Sequence, residues 1–195
     1  MQHLNEHIQH LRTLTGRRIR REEADMSMFN FYDDGSHYSA FLQQYEFTIA
    51  AHVILLLGLL PHLQPNFFDS IILEHFPQGG DFPEMGGVKG TNHRGMLPTG
   101  ETAQFILAGN NLEERMDIMH YFSGSHFFQK HGILSLEHMK EGEPRMSGKI
   151  ILSQECIDLI ITGKIQAPVF SPDFPAKHIP TKMQWDDLIL RPGTV

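Results

Sequence analysis

The chain has 195 residues, of which 41% are hydrophobic and 14 are Phe, with a formal charge of −7 and a pI near 6.0. This suits one domain, or one domain with an appendage, and the acidic balance argues against nucleic acid as the default partner. One cysteine excludes an internal disulfide framework and fits a reducing compartment.

Residues 2–15 predict an amphipathic helix, with Leu4, Ile8, Leu11 and Leu14 at helical spacing and Gly16 as its stop. No long apolar stretch lies in residues 1–16, so they do not read as a signal peptide. Arg17, Arg18, Arg20 and Arg21 follow, with Glu22 and Glu23 beside them. Such a run can grip phosphate, but with acids adjacent it reads first as a solvated turn of helix. Residues 26–32 suggest a strand or an extended clasp, and Asp33-Asp34-Gly35 a turn. Ser36 is positioned to cap a helix running to about Leu60 and ending at Pro61. Its apolar run, 49–60, includes His52 and falls short of the roughly 20 residues that span a bilayer, so it reads as a core helix. A shorter helix is predicted over 67–76.

Residues 77–98 break all periodicity and hold six glycines. A loop of that length is usually functional or disordered. Gly86-Gly87-Val88-Lys89-Gly90-Thr91 superficially suggests a phosphate loop but lacks its spacing, so a mobile surface loop is the better reading. Regular structure resumes with a helix capped by Thr99 and stopped by Gly109, then one capped by Asn110 or Asn111, with Leu112, Met116, Met119 and Phe122 expected on one face. A turn at 126–130 leads to a strand over 133–137, a charged turn over 139–147, a strand over 149–152, and a helix from Ser153 to Thr162 stopped by Gly163. This order is close to a winged helix with 139–147 as the wing. Five prolines in the last 32 residues forbid a long helix there. That stretch reads as an extended arm resting on the domain through Val169, Phe170, Phe174 and Ile179 and anchored by Trp185 and Leu188.

The expected architecture is α+β, mainly α. A helical N-terminal part (1–76) and a Gly/Pro-rich loop (77–98) precede a winged-helix-like domain (99–163) with a small β-hairpin, followed by an extended Pro-rich arm (164–195).

Three runs, Leu97–Gly109, His126–Phe128 and Glu141–Ser153, resemble the N-terminal region of certain bacterial AAA+ ATPases, as do Phe174-Pro175-Ala176 and Trp185–Leu190. The resemblance covers about residues 90–195. It implies a variant winged-helix domain that precedes a Walker-type ATPase module. Many such proteins are encoded beside phage-tail-like contractile injection systems, where an assembly or disassembly role is proposed. The nucleotide-binding loop, its lysine and the downstream acidic motif do not occur in these 195 residues, so no ATPase residue carries over. ATP and Mg would belong to that further module, and this chain itself is not expected to be an enzyme.

The residues offer other chemistry as well. His3, His7 and His10 share a helix face at a spacing that can chelate a divalent ion, though no HExxH or Cys-x-x-Cys accompanies them; a polar edge is the plainer reading, and no metal ligand is assigned. Cys156 reads as a small core side chain, and Asp186-Asp187 as solvation of the arm. The helix that would enter a DNA groove, 112–122, carries Glu113, Glu114 and Asp117 against Arg115 alone, which disfavours DNA because phosphate contacts dominate affinity. Protein recognition is therefore expected, by the chain's own ATPase module and by substrates or partners, in the cytoplasm and without a membrane. Lys140, Glu141, Glu143 and Arg145 in the wing, with Lys89, His93 and Arg94 in the glycine-rich loop, are the candidate contact residues. The alternatives are a winged-helix DNA-binding regulator and a His-rich metal-dependent enzyme.

Overall fold

A computed structural model describes residues 2–23, 25–45, 47–79 and 82–165. The described residues are mainly helical, with two small two-stranded sheets: α1 (Gln2–Ile19), α2 (His37–Gln44), α3 (Ile49–Leu63), α4 (Phe67–His75), β1 (Val88–Lys89), β2 (Met96–Leu97), α5 (Gly100–Ala108), α6 (Leu112–His120), α7 (Phe127–Lys130), β3 (Leu134–Leu136), β4 (Ile150–Leu152) and α8 (Gln154–Thr162). Residues up to Ile165 form one compact unit. The predicted arm from Gln166 onward, including Val169, Phe170, Phe174, Ile179, Trp185, Asp186, Asp187 and Leu188, lies outside the described residues.

The apolar run of α3 is the centre of this unit. Every residue from Ala51 to Leu60 is buried, His52 among them, because neighbouring elements cover all of its faces. β4 crosses α3 at Gly58, where a Cβ would press on Ile150 and Leu152 at 3.3 Å, so the missing side chain sets the approach. α1 lays Leu4, Ile8, Leu11 and Leu14 into the same core. No single described helix is long and apolar enough to cross a membrane.

Several boundaries differ from the sequence reading. α1 does not stop at Gly16 but continues to Ile19; Gly16 faces the ring of His75 on α4, so it serves as a close-packing point within the helix. The helix expected over 36–60 is two helices. Ser36 caps α2, and Thr48 opens α3 by accepting from the Ala51 N–H. Tyr45 and Phe47 lie between them, where Phe127 stacks on Tyr45 and meets Phe47 edge-on. Pro61 falls inside the last turn of α3, where its missing N–H removes only one helical bond.

The described residues of the 77–98 segment are organised, where the sequence reading expects a free surface loop. A short 3-10 turn over Pro83–Met85 buries Met85. β1 and β2 then pair antiparallel, with Val88 opposite Leu97 and Lys89 opposite Met96. The Asp69 carboxylate on α4 accepts from the Met96 N–H at 2.7 Å, and Thr99 Oγ1 accepts from the Gly87 N–H at 3.1 Å.

The second hairpin pairs Leu134, Ser135 and Leu136 with Leu152, Ile151 and Ile150. Thr99 also bridges Lys149, the Ile150 N–H donates to the Pro98 carbonyl at 2.9 Å, and the Gly100 N–H donates to the Gly148 carbonyl at 3.1 Å. The chain entering α5 is thus tied to β4 and the residues before it through an isolated bridge at Thr99. From α5 onward the order is helix, helix, short helix α7, strand β3, wing, strand β4 and closing helix α8, which packs on α2.

Candidate functional site: helix α6 and the wing

α5 supports both parts of the site. Thr99 and Thr102 form a reciprocal capping box at its start, and Gly109 ends it with a positive φ of 56°. Its C-terminal carbonyls are held by two arginines. Arg18 donates to Ile106 O at 2.9 Å and Leu107 O at 2.8 Å, and Arg115 donates to Gly109 O at 2.9 Å. These bonds give the arginine run its role: Arg18 joins α1 to α5, Arg20 pairs with Glu22, and Arg21 pairs with Glu84.

The Arg115 contact also sets the rotation of α6. Asn111 caps this helix through the Glu113 and Glu114 N–H groups. Arg115 and Ile118 turn inward, and Gln104 Nε2 donates to Arg115 O at 2.8 Å. A 100° turn per residue then carries Leu112, Met116 and Met119 out of the core. They are 76%, 66% and 43% exposed. The single face expected for Leu112, Met116, Met119 and Phe122 is therefore divided. Phe122 lies beyond the helix end and is buried, while the other three form an outward stripe. Glu113, Glu114 and Asp117 are exposed beside it.

The wing is tied to the end of this helix. Arg145, one of the predicted contact residues, donates to the Phe122 carbonyl. Met146 is buried under Gly100, Ser147 Oγ donates to Glu101 at 2.8 Å, and Lys149 pairs with Glu137 at 3.0 Å. Gly142, with φ 91°, turns the tip. Lys140, Glu141, Glu143 and Arg145 are gathered there, exposed, around a recess of about 500 Å³.

Lys89, His93 and Arg94 belong to a different place, the β1–β2 hairpin. Lys89 is bound to Asp69 at 2.6 Å. Burial opposes ionisation of Asp69, but the Lys89 ammonium and the Met96 N–H outweigh it and hold the carboxyl below its ordinary value. A groove of about 600 Å³ beside this pair is walled by Ile72, Leu73, Phe82, Val88 and Met96.

The sequence reading missed a buried polar network at the junction of α1, α2 and α3. His3 Nε2 and His7 Nε2 lie 2.9 and 3.0 Å from the Asn30 carbonyl oxygen. A carbonyl only accepts, so both rings carry their proton on Nε2. His7 Nδ1 then accepts from the Tyr38 hydroxyl at 3.1 Å, and the hydroxyl oxygen accepts from His52 Nε2. The Nδ1 atoms of His3 and His52 remain buried without a partner among the described residues. Burial, reinforced by His3, lowers the His7 pKa to about 4, and burial with the nearby His7 and His3 puts His52 well below its ordinary value. His52, a lone histidine in an apolar run, was the available sequence signal. His3 and His7 are adjacent as their spacing implies, yet among the described residues no three His, Cys, Asp or Glu side chains converge as metal ligands. Cys156 is buried in α8, and burial raises its thiol pKa.

No protein-family model matches the chain, and no curated protein or solved structure shows significant similarity to it.

Proposed function

We propose that the chain is a non-catalytic recognition domain that binds a protein partner, and that it serves as the N-terminal domain of an AAA+ ATPase. The reading is carried by the outward surface of α6, the helix at the position that would enter a DNA groove in a winged helix. Its one arginine is turned inward onto Gly109 and Gln104, and what faces outward is Leu112, Met116 and Met119 beside Glu113, Glu114 and Asp117, with His120 at the C-terminal end. Such a surface repels a phosphate backbone and suits a protein. The wing, with two cations and two acids, adds no positive excess. The ATPase assignment rests on the motif runs around Leu97–Gly109 and Glu141–Ser153. Nucleotide and Mg would be held by the motor module, whose work would be to assemble or disassemble a contractile injection system in the cytoplasm.

Two measurements test the reading. The coding sequence downstream of Val195 should continue in frame into a module with a phosphate-binding loop; any other continuation refutes the motor assignment. Titration with duplex DNA at low salt should show no binding, and a steeply salt-dependent association would refute protein recognition.

A further inference from the structure

We infer that the α6 stripe takes a basic amphipathic helix of a partner protein, and that the partner's cations seat against Glu113 and Asp117. The inference deepens the recognition reading and rests on it. Leu112, Met116 and Met119 stand at i, i+4 and i+7, the pattern by which one helix receives another. They cover about 10 Å of the helix axis. Two of the three are methionines, whose unbranched, polarisable side chains adapt to varied apolar surfaces. Among the described residues these side chains stand outside the core, because Ile118 and Arg115 already supply the inward contacts of the helix.

The charge around the stripe is one-sided, and this identifies the occupant. Helical geometry places Glu113 and Asp117 along one flank, which ends at His120, while the other flank passes into the buried side at Arg115 and Ile118. The Arg115 guanidinium is directed to Gly109 and Gln104, on the side of the helix away from Glu113 and Asp117, so it does not pair with these acids. A partner helix with leucines on its contact face and lysines or arginines along one edge matches both features. A second copy of this chain matches them poorly, since antiparallel pairing of two α6 helices would set their acidic flanks side by side.

The test uses the whole chain and a helical peptide of about 18 residues with leucines on one face and lysines on the other. A scrambled peptide and a version with glutamate for each lysine are the controls. Fluorescence anisotropy should show saturable binding of the lysine peptide alone. Leu112→Ser with Met116→Ser should weaken it about tenfold or more. Glu113→Lys with Asp117→Lys should weaken it similarly and allow the glutamate peptide to bind. All four substitutions lie on exposed positions, so unchanged thermal melts will confirm that the variants are folded. Absence of binding, equal binding of the scrambled peptide, or binding indifferent to these substitutions overturns the inference. So does sedimentation showing a dimer that the serine variant dissociates, which would assign the stripe to a second copy. Duplex binding is scored separately and bears on the recognition reading, so the two fail by different results.

Discussion

Lowering the pH should destabilise this protein before its carboxylates titrate, and His7 is the residue that makes the effect measurable. Its pKa falls from 6.5 to about 4 in the folded chain because the ring is buried and faces His3. A base with a depressed folded pKa binds fewer protons than it does unfolded, so acid favours unfolding. Its contribution is fully present above about pH 6.5 and is lost as the pH falls towards 4. Linkage gives a loss of about 2 kcal/mol between about pH 7.5 and pH 5 from His7 alone. Protonation has a structural consequence too: Nδ1 would become a donor facing the Tyr38 hydroxyl, whose oxygen already receives His52. His52, His62 and His126 are shifted in the same direction and steepen the wild-type slope. Carboxylates held low, such as Glu6 beside the Tyr32 hydroxyl, act only at lower pH. In His7→Gln the amide can still donate to Asn30 and accept from Tyr38, but it does not titrate. Urea unfolding at the two pH values should therefore show a pH-dependent loss smaller by about 2 kcal/mol in His7→Gln than in the wild type. Equal losses in the two proteins would refute the buried, neutral assignment of His7.

Other consequences can be measured on the same folded chain. Arg18→Met removes two charge-assisted bonds to the α5 carbonyls of Ile106 and Leu107, and should cost about 2 kcal/mol in denaturant unfolding; a change below about 0.5 kcal/mol would mean that this link between α1 and α5 is dispensable. Gly95→Ala places a Cβ against the Pro65 carbonyl, whereas Gly124→Ala meets nothing within 4 Å, so the first should lower the melting temperature by several degrees and the second hardly at all. The Cys156 thiol is buried with a raised pKa, and a thiol reagent should modify it slowly in the native chain and rapidly in denaturant; equal rates would place it on the surface.

Local signals were enough to predict the elements that they themselves terminate. Thr99, Asn111 and Ser153 cap α5, α6 and α8, and Gly109 and Gly163 stop helices, because each of these bonds forms within a few residues of its own chain. The apolar run of α3 announced a buried helix, and the wing with its charged residues was legible from the two strands that flank it. Sequence alone could not decide effects that depend on remote partners. Gly16 looked like a stop until α4 packed against it, and the 77–98 segment looked free until Asp69 and Thr99 supplied its missing hydrogen bonds. The inward face of α6 followed from the Gly109 carbonyl that Arg115 reaches, not from the larger number of apolar residues on the other side. The histidine network required residues 3, 7, 30, 38 and 52 to meet in one buried place. Periodicity counts apolar side chains along a helix, but tertiary contacts decide which of them are covered, and here they left Leu112, Met116 and Met119 facing outward.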